Sequence, residues 1–380
     1  MARTAGETNR RKLHSYYDYS LLFLTLFLVC FGLVMIYSTS SYNAQRIYGD
    51  ATYYLSKQAL LGGAGILIML FVSKIDYRIY ITKLPIIKIR PVTLLYFLCI
   101  FLQIAVIIFG EETKGAKRWL EIGGLGKFQP SELSKIAVII MAAYIVQLAP
   151  RKLDKITGFL RVALIIAPLL GLVISENFST GLIIGIIMVA ICFVASKKKA
   201  YFIISGVVMG ALASLMIFFV DFRSDRVDAW INVETHEKGY QILQGLYAIA
   251  SGGVFGKGLG ESMQKLGFIP ESHNDMIFSV ICEELGLFGA VSLILLFILL
   301  LWRIFIIAIN APDLFGGLLA TGVLAHIASQ VLINIAVVTS TIPSTGIPLP
   351  FISYGGSSLM VILFEIGIVL SVSNQIKAER

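Results

Sequence analysis

Residues 276–300 read Met276-Ile-Phe-Ser-Val-Ile-Cys282-Glu283-Glu284-Leu-Gly286-Leu-Phe-Gly-Ala-Val-Ser-Leu-Ile-Leu-Leu-Phe-Ile-Leu-Leu300, and only Glu283 and Glu284 carry charge in that run. A helix crosses a bilayer core of about 30 Å with roughly 20 apolar residues, so this stretch is long enough to span one. The same rule applied outward from it gives ten spans, at 19–38, 58–74, 92–110, 131–149, 161–175, 180–195, 201–220, 276–300, 315–338 and 358–375. The pair 161–175 and 180–195 is short and closely joined, which leaves open a tight hairpin or a less regular element. Over the whole 380 residues, 57% are apolar and 14% charged. Soluble domains carry about 45–50% apolar and about 25% charged residues, so there is too little charge here to wet a soluble surface. Disordered, collagenous and disulfide-scaffold classes fall on the same numbers.

The fold class expected is therefore an all-α polytopic membrane protein of about ten transmembrane helices. Residues 1–18 and 376–380 form short tails, and 19–375 a single membrane domain. No internal repeat is visible, which argues against an inverted-repeat transporter. The first apolar run is too long for the core of a cleaved signal peptide. Cys30, Cys99, Cys192 and Cys282 all lie in apolar runs without metal-ligand spacing and read as small hydrophobes.

The net charge of +8 is a question of topology before it is one of partners, and no nucleic-acid partner is expected. With both termini cytoplasmic, the inner segments hold the majority of the 31 Lys and Arg residues, and Lys197-Lys198-Lys199 is almost a whole short loop. The positive-inside rule is strongest in such loops. The unusual sequence then gathers on the outer face, at 111–130, at the long 221–275 loop between spans seven and eight, and at 339–357. The basic residues there run against the rule. Either an anionic ligand keeps them outside, or they pair with Glu111, Glu112, Asp221, Asp225 and Asp228.

Three segments carry chemistry. The first runs Lys114-Gly-Ala-Lys117-Arg118-Trp119-Leu-Glu121-Ile-Gly-Gly, then Phe128-Gln129-Pro130-Ser131-Glu132-Leu-Ser-Lys135. Pro130 opens a helix and Ser131 is its candidate cap. Glu132 and Lys135 then share a helix face just inside the bilayer, where ionisable groups must pair or face water. They either neutralise one another or line an outward cavity. Trp119 is an interfacial belt residue or a wall for a sugar ring. The second segment, Gly258 to Gly286, crowds Glu271, His273 and Asp275 at a membrane-surface helix start, where Asp275 is a cap or a reactive carboxylate. The Gly252-Gly253-x-x-Gly256 run upstream lacks the strand–turn–helix setting of a phosphate loop. The third, Pro343-Ser-Thr345-Gly346-Ile-Pro348-Leu-Pro350-Phe-Ile-Ser353-Tyr354-Gly355-Gly356-Ser357-Ser358, cannot be regular helix. At membrane depth such backbone must be buried in protein or line a cavity; a plain packing turn and a hydroxyl-rich cavity wall both satisfy that.

Thr345–Ser358, Arg118-Trp119 with Gln129–Lys135, and His273–Gly286 together resemble the signature regions of the SEDS family, which comprises FtsW, RodA and SpoVE, and the likeness covers nearly the whole chain. Gly258-Leu-Gly-x-Ser-x-Gln264-Lys265 is similar to the FtsW/SpoVE branch. Two departures stand out. Asn274-Asp275-Met276 replaces a commoner Thr-Asp-Phe and keeps the acid. Glu176-Asn177-Phe178-Ser179-Thr180 replaces Pro-Asp-x-Gly-Thr and argues against a role for an acidic residue in that short outer loop.

The resemblance implies an inverting glycosyltransferase of the bacterial cytoplasmic membrane that polymerises lipid II on the outer face, for the division septum. A flippase for the same lipid, a RodA-like elongation polymerase and a pure scaffold are the rivals. Asp275 is the expected general base, ionised at neutral pH because an ordinary Asp titrates near 4. Lys117, Arg118, Arg226 and Lys265 are the expected cations for the diphosphate leaving group. Trp119, Glu132, Lys135, Gln244, Glu271, His273, Thr345, Pro350, Ser353, Gly355, Gly356 and Ser357 complete the expected substrate surface. No metal ligand set is expected, though a divalent Mg or Mn ion could share the diphosphate. The implied partners are lipid II, the undecaprenyl-diphosphate-linked glycan, a class B penicillin-binding protein and other divisome proteins.

Overall fold

A computed structural model describes residues 14–85, 88–113, 116–121, 127–219 and 221–378. The terminal basic residues Arg3, Arg10, Arg11, Lys12 and Arg380, and Lys114, Gly115, Gly123 and Gly124 of the first motif, lie outside the described residues. Twelve helices are present among those described: α1 (Tyr19–Tyr48), α2 (Tyr53–Lys74), α3 (Pro91–Phe109), α4 (Pro130–Leu148), α5 (Ile156–Glu176), α6 (Phe178–Ala195), α7 (Ala200–Phe219), α8 (Asp221–Ile231), α9 (Tyr240–Ser251), α10 (Ile277–Ile309), α11 (Leu314–Val338) and α12 (Gly356–Asn374). Among the described residues, 9 helices are long and apolar enough to cross a membrane. α7 is a further 20-residue helix without a charged residue in its sequence, which makes ten. The chain is an all-α polytopic membrane protein.

Helix ends follow local chemistry. Asp18 caps α1 by accepting from Leu21 N at 2.9 Å, and Asp313 caps α11 by accepting from Gly316 N at 2.9 Å. Pro91 and Pro130 open α3 and α4, where their missing N–H costs nothing. The two short spans expected at 161–175 and 180–195 are full helices, α5 and α6, joined through Asn177 alone. That residue ends one helix and caps the next through Thr180 N. The expected cap at Ser131 is not formed: Gln129 holds the cap position without a side-chain bond, and Ser131 is buried in the first turn.

Short strands add to the helices. β1 (His14–Ser15) pairs antiparallel with β5 (Lys377–Ala378), so the two chain ends lie at one face, as an even number of spans requires. Nearby, Arg303 of α10 meets Asp18 at 2.6 Å. The opposite, loop-rich face carries a small antiparallel sheet, β2 (Glu111–Thr113), β3 (Ala116–Glu121) and β4 (Lys127–Phe128), in the region expected to be an outer loop. The long loop before α10 contains two helices, α8 and α9, followed by an irregular stretch up to α10.

α4, α11 and α12 are buried along most of their length and form the centre of the bundle. α2 packs closely on α12: a Cβ on Gly367 would stand 2.9 Å from Met69 O. Small residues let helix backbones approach in this way, and in lipid that packing is a main source of association.

α10 is broken at Gly286, whose φ of 67° and ψ of −168° leave the helical region. A Cβ there would stand 2.3 Å from Gly256 N, so only glycine fits. The break frees backbone groups, and the glycine-rich run 252–258 satisfies them. Lys257 N and Gly258 N donate to Glu283 O and Glu284 O, while Leu287 N and Phe288 N donate to Gly253 O and Val254 O, all within 2.9–3.0 Å. That run is a backbone brace for a broken span, which is what irregular backbone at membrane depth demands.

Candidate active site

Asp275 sits at the loop-rich face, one residue before the Met276 cap position of α10. Asp275 therefore does not itself hold the assigned cap position. Its backbone is pinned from two sides. Asn334, buried near the end of α11, donates Nδ2 to Asp275 O at 2.8 Å and to Ile347 O at 2.9 Å. Ser353 Oγ donates to Asn274 O at 2.7 Å and accepts from Leu349 N at 2.8 Å. Tyr354 N donates to His273 O at 2.9 Å, and Gln58 of α2 grips Ser353 O and Gly355 N. The irregular segment 343–358 thus clamps the acid from below. A Cβ on Gly346, whose φ is +71°, would lie 4.0 Å from Asp275 Oδ2, so the carboxylate rests against bare backbone.

Two guanidinium groups continue from the acid. Arg226 of α8 is within electrostatic reach of Asp275 and donates to Ser344 O at 3.1 Å. Trp230, one helical turn on, donates to Ser340 O at 2.8 Å, so α8 is stitched to the same segment. Arg118 of β3 lies within reach of Arg226 and donates Nε to Glu176 O at 3.1 Å. Burial draws both guanidinium groups below their usual range. Arg226 adds to that effect on Arg118 and Glu176 opposes it, while Asp275 opposes it on Arg226. Half-buried like charges held near one another create a site for an anion.

The polar run then enters the bundle. The Glu176 carboxylate accepts from Gln103 Nε2, and Ser134 Oγ of α4 donates to Gln103 Oε1 at 3.4 Å. Glu176 is the last residue of α5, directly before the Asn177 connection. The next residue on α4 is Lys135, whose Nζ is 2.9 Å from Glu132, with both side chains almost wholly buried. Ser358 also bonds Glu132, and His326 of α11 is within electrostatic reach of it. His326 Nδ1 in turn lies 2.7 Å from Glu365 Oε2, both residues 0% exposed.

Other expected residues are placed elsewhere. Lys117 alternates to the opposite side of β3 from Arg118, as strand neighbours must, and its exposed ammonium reaches Ile107 O at 3.5 Å. Trp119 shares the Lys117 side and is half-buried. Lys265 does not join the arginines. It is buried, and its three N–H donors go to Glu284 at 2.8 Å, Ser38 at 3.1 Å and Gly260 O at 2.6 Å. Beside it, Glu283 accepts from Lys257 at 2.6 Å and from Ser262, so these acids fasten the 257–265 loop to α10. Gln244 is half-buried on α9, which packs on the start of α10.

His273 is buried between Tyr54, 4.4 Å away between ring centroids, and Tyr354, 5.6 Å away. Burial pushes its pKa down to about 4, against a small opposing pull from Glu271. Glu271 is exposed, in a left-handed backbone conformation with φ 52°, and accepts from Asn274 at 3.2 Å. Thr345 is half-buried beside Gly346, and Pro350 and Ser353 are buried in the clamp. Gly355 holds the cap position of α12, Gly356 packs on Leu61, and Ser357 is buried in the first turn. Reading residues one span at a time missed Gln58, Gln103, Asn334, His326 and Glu365. The last two carried a usable signal, since an ionisable group inside a span is a functional candidate by default.

The comparisons follow this geometry. The model of the FtsW, RodA and SpoVE cell cycle proteins matches residues 19–378. Stage V sporulation protein E of Bacillus subtilis is 38% identical over 372 residues, covering 94% of this chain and 96% of that protein. A probable peptidoglycan glycosyltransferase FtsW of Geobacter sulfurreducens is 37% identical, with 95% and 96% covered. Among solved structures, one describing polymerization and crosslinking by a peptidoglycan synthase complex matches with a TM-score of 0.77 at 26% identity, covering 95% and 98%. RodA of Thermus thermophilus matches at 0.68 and 25%, covering 95% and 97%. With its sequence matched over residues 19–378 and its fold over 95% of the chain, the protein belongs to the FtsW/RodA/SpoVE family of cell cycle proteins.

Proposed function

We propose that this protein is a peptidoglycan glycosyltransferase that polymerises lipid II, with its loop-rich face on the outer side of the bacterial cytoplasmic membrane. The observation that carries the reading is the line Asp275, Arg226, Arg118: one pinned carboxylate followed by two half-buried guanidinium groups. The donor is a glycan chain on undecaprenyl diphosphate, and the acceptor is the 4-hydroxyl of the lipid II GlcNAc. Asp275 takes the hydroxyl proton as the oxygen attacks the anomeric carbon. The diphosphate departs from the opposite side, so the α-linkage becomes β. Arg226 and Arg118 meet the charge growing on the leaving group, the kind of preorganised electrostatic term that often dominates catalysis. Lys135, buried against Glu132 on α4, is the third cation.

Among the described residues no three His, Cys, Asp or Glu side chains converge as ligands for an ion. Mg or Mn, where it takes part, would be carried by the diphosphate itself.

The names of the relatives, FtsW and SpoVE, support septal or spore-wall synthesis over elongation. The matched synthase complex supports a class B penicillin-binding protein as the partner that crosslinks the strands. Reconstitution of the purified protein with lipid II, with and without such a partner, is the test. Glycan made in detergent, without two compartments, separates a polymerase from a flippase; lipid II transfer without glycan would overturn the reading.

A further inference from the structure

Two polar rungs mark the height of the bilayer on the protein. Asp18, at the start of α1, meets Arg303 of α10 at 2.6 Å. Ser38, further along α1, donates to Glu284 of α10 at 2.7 Å. At about 1.5 Å per residue these contacts stand about 30 Å apart on α1 and about 28 Å apart on α10, the thickness of a hydrocarbon core. Residues 39–48 of α1 therefore rise above that core on the loop-rich face.

At the upper rung a cleft of about 580 Å³ opens between α1 and the loop 259–266. Its α1 wall is one helix face, Val34, Tyr37, Ser41, Tyr42 and Gln45. The chemistry of that face changes with height. Val34 lies about 6 Å below the Ser38 rung and Gln45 about 10 Å above it, so the wall turns from apolar, through phenol and hydroxyl, to amide across the edge of the bilayer. Leu259, Gly260 and Leu266 form the facing wall. Lys257 and Lys265 fasten that loop to Glu283 and Glu284 of α10 at 2.6 and 2.8 Å. The cleft is therefore preformed, as ligand sites usually are.

Charge decides what fits. Among the described residues, Lys265 is the one charged side chain in the lining, and its three N–H donors are taken by Glu284, Ser38 and Gly260 O. Arg46 and Glu261, beside the lining positions, are exposed and of opposite sign. An anionic head group finds no lining cation with a donor to give, whereas hydroxyls find the donors and acceptors of Ser41, Tyr42 and Gln45. A place in the interfacial aromatic belt accounts for Tyr37 and Tyr42, but not for a cleft that is polar above the bilayer edge and apolar below it. We propose that the cleft binds one lipid of the leaflet at the loop-rich face, with an uncharged, hydroxyl-bearing head group of the glycosyl diacylglycerol class. Its head group lies against Ser41, Tyr42 and Gln45, and an acyl chain runs down past Leu259 and Val34. The site shares no residue with the line of Asp275, Arg226 and Arg118 and is independent of the reaction performed there.

The test is native mass spectrometry of the full-length protein, stripped of lipid in detergent and titrated with dioleoyl monogalactosyl glycerol. The wild type should retain one molecule and hold it about fivefold tighter than dioleoyl phosphatidylglycerol, the worth of one or two neutral hydrogen bonds. Ser41→Trp, which fills the cleft, should weaken retention by at least about tenfold. Tyr42→Phe with Gln45→Leu should still bind both lipids but bring their affinities within about twofold, because only head-group contacts are removed. That double variant also carries the test should Ser41→Trp fold poorly. Equal retention by wild type and Ser41→Trp would overturn the proposal, and loss of the crosslinking partner by that variant would then assign the cleft to a protein. Tighter binding of phosphatidylglycerol by the wild type, or an unchanged preference in the double variant, would overturn it as well.

Discussion

Asn334 donates its single side-chain amide nitrogen to both Asp275 O and Ile347 O, at 2.8 and 2.9 Å, so one buried group sets how far the acid stands from the segment facing it. Asn334→Leu should therefore cost activity out of proportion to its size. Two buried carbonyls lose their donor, a penalty of about 1–3 kcal/mol each, and the base is no longer located. The expected result is a polymerisation rate at least tenfold down with a lowered unfolding temperature in detergent. An Asn334→Leu protein of wild-type rate would show that Asp275 is positioned by Ser353 and Tyr354 alone.

Asp275→Asn should reduce glycan polymerisation by about 10²–10⁴, the usual cost of removing a general base. Membrane insertion and expression should be unchanged. A helix-cap role would have made this substitution nearly silent, because Asn caps as well as Asp, but the cap position belongs to Met276. Quantified product from lipid II decides it; full activity would remove Asp275 from the mechanism.

The Glu132–Lys135 pair separates structure from function through a double variant. Buried ion pairs often break even against neutral residues of similar volume. If the pair only cancels charge, Glu132→Gln with Lys135→Met together should be tolerated, and each alone should be worse. If Lys135 meets substrate, all three proteins should insert normally and all three should polymerise poorly. Activity of the double variant is the deciding number.

His273 should make stability depend on pH. Its folded pKa of about 4 lies below the ordinary value of 6.5, so the unfolded state binds more protons between those limits. Stability from this group is complete above about pH 6.5 and is lost as pH falls toward 4. Thermal unfolding in detergent at intervals from pH 7.5 to pH 5 should show the wild type losing more than His273→Phe. Parallel curves would mean the imidazole is already exposed to water.

The face assignment is checked by labelling. In a background lacking the native cysteines, single cysteines at Asn177, Lys238 and Ser344 should react with an impermeant thiol reagent added to intact cells. Cysteines at Lys155 and Lys198 should stay unlabelled until the membrane is opened. Labelling at Lys198 from outside would invert the orientation argued from the charge bias.

Hydropathy and charge made the spans legible, because a helix in lipid needs a long apolar run whatever its neighbours do. The prolines and glycines of 343–358 foretold an irregular segment, and Glu132 with Lys135 foretold a buried pair, since both are local consequences of covalent geometry and spacing. Helix ends were less legible. α1 runs on through polar sequence to Tyr48, where the left-handed Gly49 ends it, and α10 continues through further apolar residues to Ile309.

Which polar groups meet was decided only in three dimensions. Lys117 and Arg118 are adjacent in the chain, yet strand alternation sends one to Ile107 and the other to Glu176. Lys265 looked like a cation for substrate until Glu284 was found against it, and the glycine run at 252–258 gained its role only from the break at Gly286. Arg226 and Asp275 come from separate stretches of the long loop, and His326 and Glu365 from two different spans; no spacing rule links them. A buried charge is stable only beside a partner. Periodicity tells which residues go inside, but the choice of partner belongs to the packing of α4, α11 and α12, where those charges have nowhere else to turn.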